Sequence, residues 1–413
     1  MKIRVQNLGA IRETEIELKP LTVFVGKNNT HKSYMAYAVY GVFALKDVII
    51  RDFVRTFLLF LKRPSLQRKV AKESIQSVLL PSEFVRNRIF GKFSLPSHAL
   101  RLELDTGGEE IEESKEFQAL RKTLSLLREV LGNSEESQLM LSTLSELFEN
   151  LYRFTISHKT FRQVFYFPAS RTSFLQLRGL FIKGLVALEE QLEERLHSPL
   201  PIREFVRAFL DLSVEENGEK NKGLLRELKE IMGGDIQINP ETKQVFFVYE
   251  SKGGVCSLPI TLSSSAVTEL APLYLYIQKN DLSDKLLIIE EPEAHLHPEN
   301  QVRMARFLVK LVEAGAWVLI TTHSDYIFAE INNLVRLHTL KGHSGLPADK
   351  LSVYLFEQQE SSGEIQVKPV EISPEEGILS DSFDEVMNQL LEMATWIDVE
   401  FADKKRRESH EPS

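Results

Sequence analysis

The sequence has a single cysteine, Cys256, among 413 residues, so no disulfide can form within the chain. It also lacks an excess of positive charge, because 50 lysine and arginine residues stand against 59 acidic residues, a net charge of −9. This balance argues against a protein that coats nucleic acid through its overall charge, although it leaves a local basic groove open. We therefore expect a chain suited to a reducing compartment, and DNA as a partner stays open.

Long hydrophobic runs are missing as well. The most apolar stretch, 34-YMAYAVYGVFAL-45, ends at Lys46 and Asp47, well short of the roughly 20 residues that cross a bilayer. The N-terminus alternates charged and apolar residues and has no apolar signal core. With 43% hydrophobic residues the chain can bury a sizeable core. We expect a cytoplasmic protein with no membrane partner.

Short apolar strands alternate with helical stretches along the chain, which predicts an α/β fold with a mixed sheet. Two short strands surround Gly9, and LTVFV at 21–25 reads as a strand buried on both faces. LLIIE at 286–290 and WVLITT at 317–322 have the same character. Much of 46–163 reads as helical, for example the apolar stripe in 117–131. No internal repeat or low-complexity stretch is evident.

The loop after the strand at 21–25 nearly matches a phosphate-binding P-loop, G-x-x-x-x-G-K-[ST]. Gly26, Lys32 and Ser33 fit the motif, but His31 stands where the second glycine belongs. A strand–loop–helix match by chance is the alternative, and the apolar strand and helix on either side favour a nucleotide site. Histidine adopts positive φ angles more readily than most residues, so His31 is compatible with the loop.

A second motif, 286-LLIIEEPEAHLHP-298, leads from an apolar strand directly into two carboxylates. This is the Walker B layout: Glu290 would lie near Mg²⁺, and Glu291 would orient or deprotonate the attacking water. Two adjacent glutamates at the end of an apolar strand are unusual, because an isolated carboxylate there is costly to bury. The alternative is an exposed loop with chance acids, which the upstream P-loop disfavours. His295 and His297 could form a metal pair, but no further ligands cluster nearby, and we prefer loop roles for both.

The P-loop followed by the Walker B motif supports a functional interpretation of two further segments. His323 directly follows the predicted strand in WVLITTH at 317–323 and could contact a γ-phosphate. If this motif stood alone, a structural histidine would be the better interpretation. LSSSAVTEL at 262–270 places serines at a helix N-terminus, which suits either an anion or an ordinary N-cap.

Together, GKNNTHKS, YFPASR, LSSSAVTEL, EEPEAHLHP and ITTHSD resemble an ABC-type ATPase head of the SMC/RecF/OLD-like branch. The resemblance covers about half of the chain and implies an ABC-ATPase-like mixed sheet with a large helical insertion. It implies that two subunits enclose ATP between the P-loop of one and the serines of the other. It also implies Glu291 as catalytic base, His323 as switch histidine, and Ser33 with Glu290 as Mg²⁺ ligands. The nucleotide-binding residues it implies are Gly26, Asn28, Asn29, Thr30, His31, Lys32, Ser33, Ser264 and Ser265.

Some details of the resemblance are less complete. Arg171 matches a recurrent arginine, for which a phosphate or a structural contact is open, and Gln163 is a candidate for the glutamine loop. His31 and Ala266 replace glycines, and both replacements are expected to weaken or slow hydrolysis. The expected segments are an ATPase lobe with the P-loop, a helical insertion, a return strand, a helical segment, the signature-to-switch part and a C-terminal helix and tail; they span 1–45, 46–163, 164–179, 180–234, 235–372 and 373–413.

The acids at 374–385 look like a helix start and do not follow a strand in the pattern of a Toprim nuclease. The favoured hypothesis is therefore an ATP-driven switch, a homodimer or higher oligomer, that gates a separately encoded nuclease or toxin in bacterial anti-phage defence or DNA maintenance. The alternatives are an ATP-dependent OLD-like nuclease with an unrecognised active site and a nucleotide-dependent scaffold with little hydrolysis. The resemblance, and not the residues themselves, carries the defence role.

Overall fold

The computed structural model describes residues 1–44, 101–105 (backbone), 161, 163–169, 171–173, 199–210, 221–342, 344–359 and 361–379. The strands, named β1 to β13 in chain order, are Lys2–Leu8, Ile11–Glu17, Leu21–Gly26, Arg101–Asp105, Gln163–Phe167, Asp235–Ile238, Val245–Ser251, Gly254–Pro259, Lys285–Glu290, Trp317–Thr322, Leu351–Gln358, Ile365–Ser373 and Gly377–Leu379. The helices, named α1 to α6, are 32–44, Leu200–Leu210, Lys222–Met232, Ser265–Lys279, Pro298–Glu313 and Asp325–Lys341. Short 3₁₀ helices cover Ile260–Leu262 and Ala348–Lys350.

A seven-stranded sheet in the order β13-β12-β11-β3-β10-β9-β5 forms the centre of the fold. Its strands β11, β3, β10, β9 and β5 are parallel, whereas β12 and β13 join antiparallel at one edge. This confirms the predicted α/β class with a mixed sheet. Parallel strands covered on both faces need apolar side chains on both faces, which is why β3, β9 and β10 read as continuous apolar runs.

Each face of the central sheet has its own hydrophobic core. Val23 of β3 packs in a core built mainly with α3, α4, α5 and α6. The next residue, Phe24, points to the other face and packs with α1 and with the strands β1 and β2. Alternation along each strand therefore supplies both cores from a single run of apolar residues.

Two predicted helical stretches contain strands. β4 lies inside the segment expected to be a helical insertion, 46–163, and pairs antiparallel with β1. The sequence analysis did not predict this strand, because a strand whose partner is distant in sequence has little local signal. Likewise β13 lies where a C-terminal helix start was expected and pairs with β12. The expected helix near 382–402 and most of 46–163 lie outside the described residues.

The strands β6, β7 and β8 form a separate three-stranded sheet and come before helix α4 in the sequence. In the described part of the chain, none of the helices has the length and apolar character needed to cross a membrane.

Candidate functional site

The parallel strands β3, β5, β9 and β10 end at the same edge of the central sheet. Thr321 pairs with Glu290, Thr322 pairs with Val25, and Phe167 pairs with Ile289. In open α/β sheets, ligands bind outside the carboxyl ends of the strands. The P-loop, the two glutamates and His323 each follow one of these strands, so the register alone brings the predicted site together.

The P-loop turns sharply where β3 ends. Gly26 has a φ of 144°, and a Cβ atom there would lie 2.4 Å from the carbonyl oxygen of Phe356 on β11. A side chain is therefore excluded at this position. Asn29 and His31 adopt φ angles of 64° and 62°, in the left-handed region that asparagine and histidine tolerate. The loop leads directly into the N-terminus of α1, which is a favourable place for an anion.

Lys32 lies inside the turn of the P-loop, with 8% of its surface exposed. Its Nζ donates to the carbonyl oxygens of Gly26 and Lys27, each at 2.7 Å, and to Thr30 Oγ1 at 3.4 Å. Burial lowers the pKa of the Lys32 ammonium, whereas the nearby Walker B carboxylates raise it. The loop thus holds one cation at its centre, opposite the acids that follow β9.

His31 fills space that a glycine would leave empty. A Cβ atom on Gly9, in the turn between β1 and β2, would lie 2.9 Å from the His31 ring, so the ring covers this turn closely. The ring centroid is 5.0 Å from that of Tyr34, and Nδ1 is buried without a hydrogen bond. Burial lowers the pKa of His31, and the neighbouring backbone of Asn29 partly opposes this shift. The departure from the motif therefore packs the P-loop against the first hairpin.

Strand β9 delivers Glu290 to the sheet edge with only 4% of its surface exposed. The backbone amide of Ala169 donates to its Oε2 at 3.2 Å, but Oε1 is buried without a hydrogen bond. Burial raises the pKa of Glu290, the hydroxyls of Ser33 and Tyr166 and the Ala169 amide lower it, and the charge of Glu291 raises it. Neither hydroxyl makes a hydrogen bond of normal geometry with Oε1.

These two oxygens fit a magnesium ion. The exposed hydroxyl of Ser33 and the unsatisfied Oε1 of Glu290 are hard oxygen donors, the type that Mg²⁺ prefers. A buried carboxylate oxygen without a partner is uncommon and calls for an explanation, such as a bound cation. Among the described residues no cluster of three or more histidine, cysteine or acidic side chains suits a metal, and Mg²⁺ usually takes its other ligands from phosphates and water.

Glu291 stands next to Glu290 in an unusual backbone conformation. Its φ is 41°, and its amide donates to the carbonyl oxygen of Thr321 at 2.8 Å. This bond ties the Walker B turn to β10. The Glu291 side chain is about one-third exposed, and its Oε1 lies 3.8 Å from Nδ1 of His323. The chain therefore presents a carboxylate and an imidazole together at the open side of the edge.

A third acid, Glu293, belongs to the site although the sequence prediction did not include it. It is 5% exposed, and its Oε1 accepts from Thr322 Oγ1 at 2.7 Å and from the His323 amide at 3.0 Å. The same oxygen lies 3.5 Å from His323 Nδ1. The signal was present in EEPEAHLHP as a third acid, but spacing alone could not show that it faces β10.

A sequence profile of the AAA ATPase domain family matches residues 1–161 and 133–328 of this chain. The chain belongs to the AAA ATPase domain family. The prediction of an ATPase domain of the AAA family is thereby confirmed, whereas the ABC/SMC-like and OLD-like details stay predictions. No curated protein matches the chain in a sequence comparison.

Solved structures of SMC heads and ATP-binding cassettes are similar to this AAA ATPase domain chain at low sequence identity. An SMC head bound to the C-terminal winged-helix domain of ScpA is 15% identical, with a TM-score of 0.42, over 90% of this chain and 97% of that chain. The SMC head of Thermotoga maritima is 13% identical, with a TM-score of 0.35, over 90% and 98%. The ADP conformation of MJ1267, an ATP-binding cassette of an ABC transporter, is 11% identical, with a TM-score of 0.33, over 91% and 93%.

The serine cluster of this chain lies at the N-terminus of helix α4. Ser264 is the N-cap, and its Oγ accepts from the Val267 amide at 3.4 Å. The Thr268 hydroxyl donates to the carbonyl oxygens of Ser264 and Ser265. Both serines are exposed, while Ala266 packs partly against the core. The N-cap interpretation is therefore satisfied, and contact with the ATP of a second subunit stays a prediction.

Gln163 does not reach the site of this AAA ATPase domain chain. It begins β5 and pairs with Lys285 at the start of β9, which puts it at the opposite edge of the sheet, about 13 Å from the end of β5 at 3.3 Å per residue. Its Oε1 accepts from Lys285 Nζ at 2.7 Å. The proposal of Gln163 for the glutamine loop was wrong, because the sequence did not reveal which end of the strand faces the site.

Proposed function

We propose that this chain binds and hydrolyses ATP with Mg²⁺ and works as a dimeric switch. The convergence of Lys32, Glu290 and Glu291 at one edge of the sheet, beside His323, is the observation that supports it best. A cation inside a P-loop, a buried carboxylate with an unsatisfied oxygen and a second, more exposed carboxylate are the groups that phosphoryl transfer to water needs.

Each of these residues has a distinct role in this proposal. Lys32 holds the β- and γ-phosphates, while Ser33 and Glu290 hold the metal. Mg²⁺, held there, would neutralise the negative charge that develops on the phosphate oxygens. Glu291 accepts a proton from the water whose oxygen attacks the γ-phosphorus, and the bond to the β–γ bridging oxygen breaks to leave ADP and phosphate. His323 contacts the γ-phosphate, so its position changes when that group is lost.

The wider role rests on the resemblance to SMC/RecF/OLD-like heads. Two subunits would face each other, with Ser264 and Ser265 of one completing the ATP site of the other through the N-terminus of α4. Opening and closing of this joint would be read by a separately encoded effector, a nuclease or a toxin. The setting we propose is bacterial anti-phage defence or DNA maintenance, in the cytoplasm.

A trapped dimer tests the proposal. Glu291→Gln keeps the side-chain size but cannot accept the proton, so hydrolysis should fall by roughly 10²- to 10⁴-fold. ATP should still bind, because Lys32, Ser33 and Glu290 are unchanged. The variant should then accumulate as an ATP-bridged dimer, measured by light scattering with and without ATP. Undiminished turnover by Glu291→Gln would show that this carboxylate is not the base.

The signature serines provide the second arm of this experiment. Adding Ser265→Glu to Glu291→Gln places a negative charge next to the γ-phosphate of the partner subunit and should prevent the trapped dimer. Equal mass for both variants with and without ATP would contradict the shared site. Nucleotide retained after gel filtration should be measured in parallel, because a dimer held through other surfaces would conceal a change in mass.

A further inference from the structure

Arg171 is the most deeply buried cation of the described residues at this edge, with 2% of its surface exposed. It belongs to the helical residues 171–173, which follow β5. Burying an arginine is costly unless its charge and its N–H groups are satisfied. The contacts of Arg171 should therefore indicate the role of this residue.

One side of the Arg171 guanidinium binds the Walker B turn. Its Nη1 donates to the carbonyl oxygen of Glu290 at 2.7 Å and to that of Pro168 at 3.1 Å. Its Nη2 donates to the carbonyl oxygen of Glu291 at 3.3 Å. The same guanidinium therefore holds the backbone of both Walker B glutamates and the segment whose Ala169 amide binds the Glu290 side chain.

The other side of Arg171 binds helix α4. Its Nε donates to the backbone carbonyl of Glu269 and lies against the Glu269 carboxylate Oε1, each at 3.0 Å. Glu269 is 1% exposed, and its Oε2 accepts from the Thr172 amide at 3.2 Å and from the Thr172 hydroxyl. Glu269 lies just over one turn after the exposed serines that begin α4, so a rigid helix joins the ion pair to those serines.

We propose that Arg171 is a positioning residue that makes the Walker B turn and helix α4 move as one unit. This inference rests on the proposed function. In a dimer that shares its ATP, Ser264 and Ser265 contact the nucleotide of the partner subunit, whereas Glu290 and Glu291 act on the subunit's own nucleotide. When the serines of one subunit contact the ATP of its partner, the connection through Arg171 and Glu269 then changes the position of the carboxylates at the subunit's own ATP site. The two sites should hydrolyse ATP cooperatively.

Arg171→Lys tests this connection directly. Lysine keeps a positive charge near Glu269, but its single ammonium group cannot replace a planar fork of donors to four carbonyl oxygens and a carboxylate. We expect kcat to fall about 10-fold or more, the range typical for the loss of a supporting contact behind a metal ligand. The Hill coefficient for ATP should fall towards 1, while the Kd for ATP of the free subunit changes less than about 2-fold.

Asn221→Ala is the matched control, because Asn221 supports the other end of the same helix. Asn221 is 6% exposed, and its Nδ2 donates to the carbonyl oxygens of Ile277 and Asn280, each at 2.8 Å. The substitution removes two buried hydrogen bonds from the C-terminal end of α4 without touching the Walker B turn. A merely structural role for Arg171 predicts that both variants lose stability and activity in parallel.

Thr172→Val is a second variant for the case in which Arg171→Lys does not fold. It removes the hydroxyl bond to Glu269 but leaves the buried carboxylate paired with Arg171, and it should lower the Hill coefficient by a smaller amount. Thermal melts of every variant would check folding.

Three results would overturn the proposal: a wild-type Hill coefficient of 1, an unchanged Hill coefficient in both Arg171→Lys and Thr172→Val, or an equal loss of kcat in Asn221→Ala. The proposed function has a separate test, since a wild-type protein that neither binds nor hydrolyses ATP would contradict the ATPase itself.

Discussion

At the scale of single residues, His31 shows how a departure from a motif can be accommodated. The P-loop needs a left-handed backbone at this position, which histidine supplies with a φ of 62°. The ring then packs over Gly9 instead of leaving the loop open. The amides and the Lys32 ammonium that would meet the phosphates do not depend on the identity of this side chain.

The half-buried imidazole of His31 should make stability depend on pH. Burial lowers its pKa from the ordinary value of 6.5, so the folded state binds this proton less readily than the unfolded state. The contribution is therefore fully present above about pH 6.5 and decreases as the pH falls towards the folded pKa. His31→Asn, which keeps a residue that tolerates positive φ, should show a smaller fall in Tm on acidification. Equal pH profiles of Tm for both proteins would contradict this account.

The residues of the site were predictable to different degrees. Lys32, Ser33, Glu290, Glu291 and His323 could be found because each belongs to a motif that directly follows an apolar strand, and the motifs come in a recognisable order. Glu293 could not be found in this way, since its role depends on its contact with Thr322 at the end of the neighbouring strand. Arg171 was found as a recurrent residue, but only its contacts in the fold place it between the Walker B turn and α4 instead of at a phosphate.

At the scale of secondary-structure elements, Glu293 fastens the turn after β9 to the end of β10. Glu293→Ala leaves the Thr322 hydroxyl and the His323 amide without their acceptor, which costs about 1–3 kcal/mol for a buried group. We expect kcat to fall about 10-fold with a small change in KM, because His323 loses its orientation. Glu293→Gln should retain most of the activity, since its carbonyl oxygen can accept both bonds.

The control for Glu293 lies on the surface nearby. Glu299→Ala removes an exposed carboxylate of α5 that pairs with Arg303, and such pairs contribute little. It should leave kcat unchanged. A loss of activity in Glu293→Gln as large as in Glu293→Ala would show that the charge, and not the positioning of His323, matters.

The elements that position the site were the easiest to predict. β3, β9 and β10 are buried on both faces, so each appears as a continuous apolar run with a polar motif at its end. β4 and β13 were missed because their pairing partners determine them: β4 joins β1 far along the chain, and β13 has only three residues. Gln163 was misplaced because a strand's sequence does not show which of its ends meets the site.

At the scale of the whole molecule, one sheet brings together the residues proposed to act on the ATP bound by their own subunit. Segments distant in sequence, such as Lys32 and His323, become neighbours because β3 and β10 are adjacent and parallel. The cores on the two faces fix this register, since a slip by one residue would exchange the side chains of the two cores. The hypotheses of dimerisation and of a separate effector rest on the resemblance to SMC/RecF/OLD-like heads.

Calorimetric titration of ATP and Mg²⁺ tests the central claim, an ATP site at the carboxyl edge of this sheet. Lys32→Ala removes the ammonium that the loop holds at its centre, and Lys27→Ala removes an exposed lysine of the same loop. We predict saturable binding by the wild type and by Lys27→Ala, and no measurable binding by Lys32→Ala. Normal ATP affinity in a folded Lys32→Ala protein would contradict the assignment of the site.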